Sequence, residues 1–192
     1  MSTSLKATPR ERLLRAAADL FYREGITATG VERLCRAAGV SKRSMYQLFE
    51  TKDELVTESL ALAGTDALTD YFPGEATGMA PREQIMYVFE RLEAMAGDPA
   101  FRGCPFVGTA TELKDPAHPA ALVARAHKQE LTDFFARQAA LGGADDPETL
   151  ADQLTVVFDG LAARAVVRGT GVGKLAVTTA SVVLEAGGLR AG

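Results

Sequence analysis

From Ser41 to Gln47 the chain reads Ser-Lys-Arg-Ser-Met-Tyr-Gln, and six of these seven side chains can donate a hydrogen bond. Such donors suit the base edges and phosphates of duplex DNA, where Arg is the commonest specific reader of guanine. A helix turning about 100° per residue puts Met45 and Phe49 within about 40° of each other, with Arg43 and Gln47 on the opposite side. Ser41, Lys42, Arg43, Ser44, Tyr46 and Gln47 are therefore candidate DNA contacts, although an ordinary amphipathic surface helix has the same two faces. A second set, Glu112 with His118 and His127, joins a carboxylate to two imidazoles, as a divalent-ion site or an acid–base enzyme would. Their spacings of six and nine put them on no common helical face. Cys104 is either a redox-sensing thiol or an inert buried one, and Cys35 beside Leu34 reads as core. No nucleophile elbow, phosphate loop or metal-spaced motif is present, so no cofactor and no catalytic residues are expected.

The elements that position these residues read as helices throughout, because apolar residues recur at helical spacing and no strand-like alternation runs far. Thr8-Pro9-Arg10-Glu11 opens the first helix with a cap, a first-turn proline and a capping-box glutamate, and Gly25 ends it. Similar grammar at Thr29-Gly30-Val31-Glu32 predicts a short second helix ended by Gly39. Ser41 caps a third helix running to about Phe49, and Thr51-Lys52-Asp53-Glu54 caps a longer fourth to about Tyr71. Two short helices joined by a tight glycine turn make a helix-turn-helix, in which one helix braces and the next enters the major groove. Further helices are expected at about 80–96, 104–113, 117–141, 147–169 and 172–187, bounded by Pro and Gly clusters.

Charge divides the chain the same way. Residues 1–52 carry ten Lys+Arg against five Asp+Glu, whereas residues 53–192 carry eleven against twenty. A basic head on an acidic body suggests a polyanion for the head alone. The expected domains are thus a DNA-binding head at 1–52 and a helical body at 53–192. At 47% hydrophobic and 24% charged residues, the 192-residue chain has enough apolar material for a core. Its longest uncharged stretch, Leu175 to Leu184, is far short of a membrane helix, and the N-terminus lacks a signal-peptide core. A cytoplasmic protein with no membrane partner is expected, and two cysteines 69 positions apart suit a reducing compartment.

The stretch Arg12 to Leu55 resembles the DNA-binding region of TetR-family transcriptional regulators. The likeness rests on Leu20-Phe21, Gly25, Thr29, Leu34, Ala37-Ala38-Gly39-Val40-Ser41, Tyr46, Phe49 and Lys52-Asp53-Glu54-Leu55. It implies an all-α protein whose remainder binds a ligand and dimerises, usually a repressor acting on a palindromic operator. It also implies that Thr29, Tyr46 and Lys52 grip phosphates and that Lys42, Arg43, Ser44 and Gln47 occupy recognition-helix positions. Leu48 departs from the His or aromatic residue frequent there and can simply extend the core.

Aromatic and Met residues concentrate between 71 and 135, where they could line an effector pocket or fill plain core. Tyr71, Met86, Phe89, Phe106, His127 and Phe134 are the candidate ligand contacts, and the effector is expected to be a small apolar molecule. The last two helices mix large apolar residues with Gly and Ala that allow close approach. Phe158, Leu161, Ala176, Ala180 and Val183 are accordingly candidates for a four-helix homodimer interface, with an internal hairpin as the other use of the same residues. A ligand-independent nucleoid or architectural DNA-binding protein would share the head and differ in having a filled core. An enzyme built on Glu112, His118 and His127 would leave the basic head without a purpose.

Overall fold

A computed structural model describes residues 7–74 and 78–189, and for residues 66–70 the backbone alone. The outer ends of the two expected domains, 1 and 192, lie outside the described residues. Helix α1 (Pro9–Glu24) starts as its sequence predicts: the Thr8 hydroxyl accepts from Glu11 N–H at 3.2 Å and the Glu11 carboxylate accepts from Thr8 N–H at 2.7 Å. Its apolar stripe, Leu13, Leu14, Ala17 and Leu20, is buried against Leu34, Cys35, Met45, Phe49 and Leu55. Arg12 ties the stack together by donating to the carbonyls of Ala7 and Ala38.

Helix α2 (Val31–Ala38) lacks the expected capping box. Gly30 is the N-cap, and the Thr29 hydroxyl turns inward to donate to the Gly25 carbonyl at 2.6 Å. The same capping grammar therefore succeeds at Thr8 and fails at Thr29, because a carbonyl of the preceding turn competes for the hydroxyl. Gly39 at φ 64° supplies the left-handed turn that ends α2, a conformation costly for any residue with a Cβ. Only two residues later Ser41 caps α3 (Lys42–Leu48), its hydroxyl accepting from Ser44 N–H at 3.0 Å. Leu48 packs against the head cluster.

Helix α4 (Lys52–Tyr71) runs without interruption from head to body. Its first turn has a divided cap: Thr51 accepts from Glu54 N–H, while the Glu54 carboxylate reaches Glu50 N–H instead of closing a box. Leu55 belongs to the head core, whereas Val56 and Leu60 pack with Ile26, Phe106, Ala120 and Ala124 in a cluster spanning head and body. Beyond it come α5 (Pro81–Ala96), α6 (Pro105–Leu113), α7 (Pro119–Leu141), α8 (Pro147–Arg168) and α9 (Leu175–Ala186). Helices α5, α7, α8 and α9 pack around Phe89, Phe135, Leu150, Leu154, Phe158 and Leu184. The described residues thus form nine α-helices and no strand, as the periodicity indicates. No helix among them is long and apolar enough to cross a membrane.

Two polar joints attach the head to the body. Glu112 of α6 accepts from Ile26 N–H at 3.0 Å and from Thr27 N–H at 2.7 Å, filling the loop between α1 and α2. Tyr22 of α1 donates its hydroxyl to the Gly103 carbonyl at 3.2 Å and accepts from Arg102 N–H at 2.7 Å. Burial pushes the Glu112 carboxyl up, but hydrogen bonds from Thr27 and Ile26 and the nearby Lys52 charge together outweigh it, so the group sits below the ordinary carboxylate range. Burial likewise pushes the Tyr22 hydroxyl up, more than the Arg102 N–H lowers it, so at neutral pH the hydroxyl keeps the proton it donates.

A carboxyl lowered by folding adds stability that is complete above its unfolded value and is lost as pH falls through the folded one. Glu112→Gln should therefore destabilise the protein at pH 7 by about 1–3 kcal/mol, the usual loss for a charge-assisted hydrogen-bonded group. The deficit against wild type should shrink as the pH is taken below the ordinary carboxylate range. Thermal unfolding of both proteins across the acid range checks this, and a deficit that is zero at pH 7 or independent of pH contradicts it.

Candidate DNA-reading face and effector cavities

In α3 the apolar side faces in and the donor side faces out. Met45 and Phe49 are buried, with the Cys35 thiol 3.9 Å from the Met45 sulfur. Lys42, Arg43, Tyr46 and Gln47 are exposed together on the opposite face, Tyr46 at 46% despite its large ring. Ser44 is half-buried, its hydroxyl 2.8 Å from that of Ser41. Two residues matched to phosphate grips are turned inward. Thr29 is fully buried and its hydroxyl is spent on Gly25, while the Lys52 ammonium donates to the Ile26 carbonyl and lies 5.8 Å from the Phe21 ring. Arg10, which sequence reasoning did not single out, stacks over Phe49 at 5.0 Å and pairs with Glu58, fixing the end of α3 against α1 and α4.

The expected ligand residues separate into two groups. Met86, Phe89 and Phe134 line neither of the two cavities that the other candidates border. Phe89 is stacked parallel to Phe135 at 5.7 Å and edge-on to Phe158, and Phe134 is stacked on Phe72 at 4.5 Å. These rings are core because four helices converge on them. Tyr71, Phe106 and His127, in contrast, surround an inner pocket of about 50 Å³ between α4, α6, α7 and α8. Phe106 stacks on the His127 ring at 4.7 Å. Gly64 of α4 also lies against that ring: a Cβ there would fall 2.1 Å from His127 Nε2, so any larger residue would have to displace the imidazole. His127 Nδ1 lies 3.0 Å from Glu130, with no hydrogen bond geometry in that contact.

The larger cavity, about 530 Å³, lies elsewhere: it is an open cleft between α1 and α4 on one side and residues 101–112 on the other. Phe21, Leu60, Met95 and Phe101 supply apolar wall, and Tyr22 and Glu112 of the two joints line it too. Tyr71, Cys104 and Pro105 form a partition shared by both cavities. Sequence reasoning missed this cleft because its walls come from segments some eighty residues apart, with no periodic signal linking them.

Glu112, His118 and His127 do not converge. Glu112 holds the α1–α2 loop, and His118 caps α7 by accepting Ala120 N–H at Nδ1, its Nε2 3.7 Å from Asp53. His127 faces the inner pocket. Among the described residues no three His, Cys, Asp or Glu side chains are grouped as a metal site would require. Burial pushes the Cys104 thiol up more strongly than Lys128 and local N–H groups lower it, which disfavours a reactive thiolate.

Four of the five expected interface residues face the protomer's own interior. Phe158, Leu161, Ala176 and Ala180 are buried within the body core, and Val183 packs partly against it. The outward faces of the same two helices carry a different set of residues. On α8 these are Val156, Gly160, Ala163 and Val167, with Val156 71% and Val167 87% exposed. On α9 they are Leu175, Thr178, Val182 and Ala186, with Val182 66% exposed. Phe158 and Leu161 together with the small Ala176 and Ala180 are taken up by the internal hairpin, leaving Val, Leu, Thr, Gly and Ala residues outside at seam spacing.

Comparison with known proteins agrees with this architecture. The profile described as bacterial regulatory proteins, tetR family, matches residues 13–59. A TetR transcriptional regulator of Streptomyces avermitilis is 50% identical in its crystal structure, with TM-score 0.91, the match covering 96% of this chain and all of that one. A TetR-family regulator of Streptomyces coelicolor is 28% identical at TM-score 0.82, the match covering 93% of each chain. The repressor KstR2 of Rhodococcus jostii is 36% identical over 83 residues, 43% of this chain, so the chain spans 41% of that curated relative. A helix-turn-helix with its donor face outward, on a body that fits a half-identical TetR structure along its whole length, makes this chain a member of the TetR family of helix-turn-helix transcriptional regulators.

Proposed function

We propose that this regulator is a cytoplasmic, effector-responsive repressor that binds a palindromic DNA operator as a homodimer and is released from it by a small, largely apolar molecule. The observation that supports DNA reading is the outward cluster of Lys42, Arg43, Tyr46 and Gln47 on a short helix whose other face is closed by Met45 and Phe49. Ser41 and Ser44 add hydroxyls at the N-terminus of that helix, where the backbone dipole also favours phosphate. Thr29 and Lys52 act chiefly by shaping the α1–α2 loop, and Thr29 contributes to phosphate contact only through its backbone. Effector response is supported by Tyr71, Phe106 and His127 around the inner pocket and by the adjoining cleft, features that a filled-core architectural protein has no use for.

Arg43→Ala should cost about 1–3 kcal/mol of operator affinity and relax preference at one base pair if Arg43 forks onto guanine. Fluorescence anisotropy with a selected operator and single-base variants reads this. Unchanged affinity with unchanged preference would remove Arg43 from the readout.

The dimer should form through the outward faces of α8 and α9. Val182→Glu places a charge in that seam and should shift the protein to monomer, a buried unpaired charge costing about 3–5 kcal/mol. Sedimentation velocity at micromolar concentration decides it. A wild-type monomer, or a dimer untouched by the substitution, rules out this seam.

A further inference from the structure

We infer that the cleft between head and body is a binding site for an organic acid with an apolar body, held by Arg15 and Arg102 at its rim. This refines the effector in the proposed function from an apolar molecule to an amphipathic anion, and it rests on that reading for its regulatory consequence alone. At about 530 Å³ the cleft falls within the range of roughly 300–1,000 Å³ common to small-molecule sites, whereas the inner pocket of about 50 Å³ admits little more than a small group. Its floor is apolar, built from Phe21, Ile26, Val56, Leu60, Met95 and Phe101.

The charges around that floor are unequally satisfied. Asp19 is paired with Arg23 at 2.5 Å, and Glu112 is occupied by two backbone N–H groups. Arg15, one turn from Asp19, makes no hydrogen bond or ion pair among the described residues and interacts only through space with Glu11. The Arg102 guanidinium donates to the carbonyls of Pro99 and Phe101 and has no carboxylate partner. The cleft therefore keeps two guanidinium groups without a direct ion-pair partner beside a greasy floor, its two lining carboxylates Asp19 and Glu112 being engaged by other donors, and Arg matches a carboxylate with two parallel donors. The acid sits at the rim, and the apolar body lies along α4 toward the partition at Tyr71.

An occupant touches both joints, because Tyr22, Gly25, Ile26 and Glu112 line the same cleft. Binding and head position are consequently linked: whichever head placement widens the cleft for the ligand is the placement the ligand selects.

The test uses the full chain and two matched probes, octanoate and 1-octanol, titrated calorimetrically without DNA. Octanoate should bind at millimolar concentration or below and about tenfold or more tightly than 1-octanol, the margin expected for a charge-assisted pair. Arg15→Gln with Arg102→Gln should remove that margin and leave 1-octanol binding unchanged. Leu62→Trp, at an exposed wall position, should weaken both probes, and Leu131→Trp, which fills the inner pocket from the side away from the cleft floor, should weaken neither; circular dichroism and melting temperature verify that each variant folds. The proposal is overturned by no octanoate binding at millimolar concentration, by equal affinity for both probes, by a margin that survives the arginine substitutions, or by binding lost in Leu131→Trp and kept in Leu62→Trp. Operator affinity of the unliganded protein, measured in parallel, tests the DNA-binding reading by itself, so the two can fail separately.

Discussion

The arrangement depends on one carboxylate. Glu112 accepts the N–H groups of Ile26 and Thr27, which would otherwise be unpaired at a turn that α1 leaves and α2 has not yet joined. Ile26 is itself buried, so its N–H has little water to fall back on. The loop carries other duties: its Gly25 carbonyl accepts from Thr29 and its Ile26 carbonyl from Lys52. A single side chain from the body thus sets the conformation of the segment that aims α2 and, through the Gly39 turn, α3. The orientation of the candidate DNA-reading face is a property of the whole chain, although the face itself is local.

That division explains what could be read in advance. Capping residues, glycine stops and apolar stripes are short-range signals, and they placed the helices of the head and body within a few residues of where they lie. The inward Met45 and Phe49 and outward Arg43 and Gln47 followed from helical period alone. Burial partners are long-range, and there the sequence was less legible. Phe89 and Phe134 look like ligand contacts in a list of aromatic residues and become core only once α5, α7 and α8 meet. Phe158 and Ala180 look like a dimer seam until the hairpin between α8 and α9 claims them.

Glu112 illustrates a different limit. Its type suggested metal or acid–base chemistry, whereas it serves as an acceptor for backbone N–H groups eighty-five and eighty-six residues away, which carry no signature in any side-chain pattern. Tyr22 is similar, joined to residues 102 and 103 by both functions of its hydroxyl. The two joints and the cleft form from the same surfaces, so polar contacts that join head to body border an open cleft of about 530 Å³. On the proposed effector response, stability and responsiveness are opposed there: the contacts that hold the head still are those a ligand would have to disturb.

Helix α4 turns this into mechanical advantage. It places Leu55 in the head core at one end and Tyr71 at the partition between the cavities at the other. Its 20 residues make a rod about 30 Å long, so pivoting it by about 5° carries the far end through about 2.6 Å. In the proposed two-fold dimer the two rods would swing in senses related by the two-fold axis, doubling the change in span to about 5 Å, comparable to one helical pitch of about 5.4 Å. A displacement at the cavity no larger than the swing of one aromatic ring would then be enough to put one half of the dimer out of step with the groove.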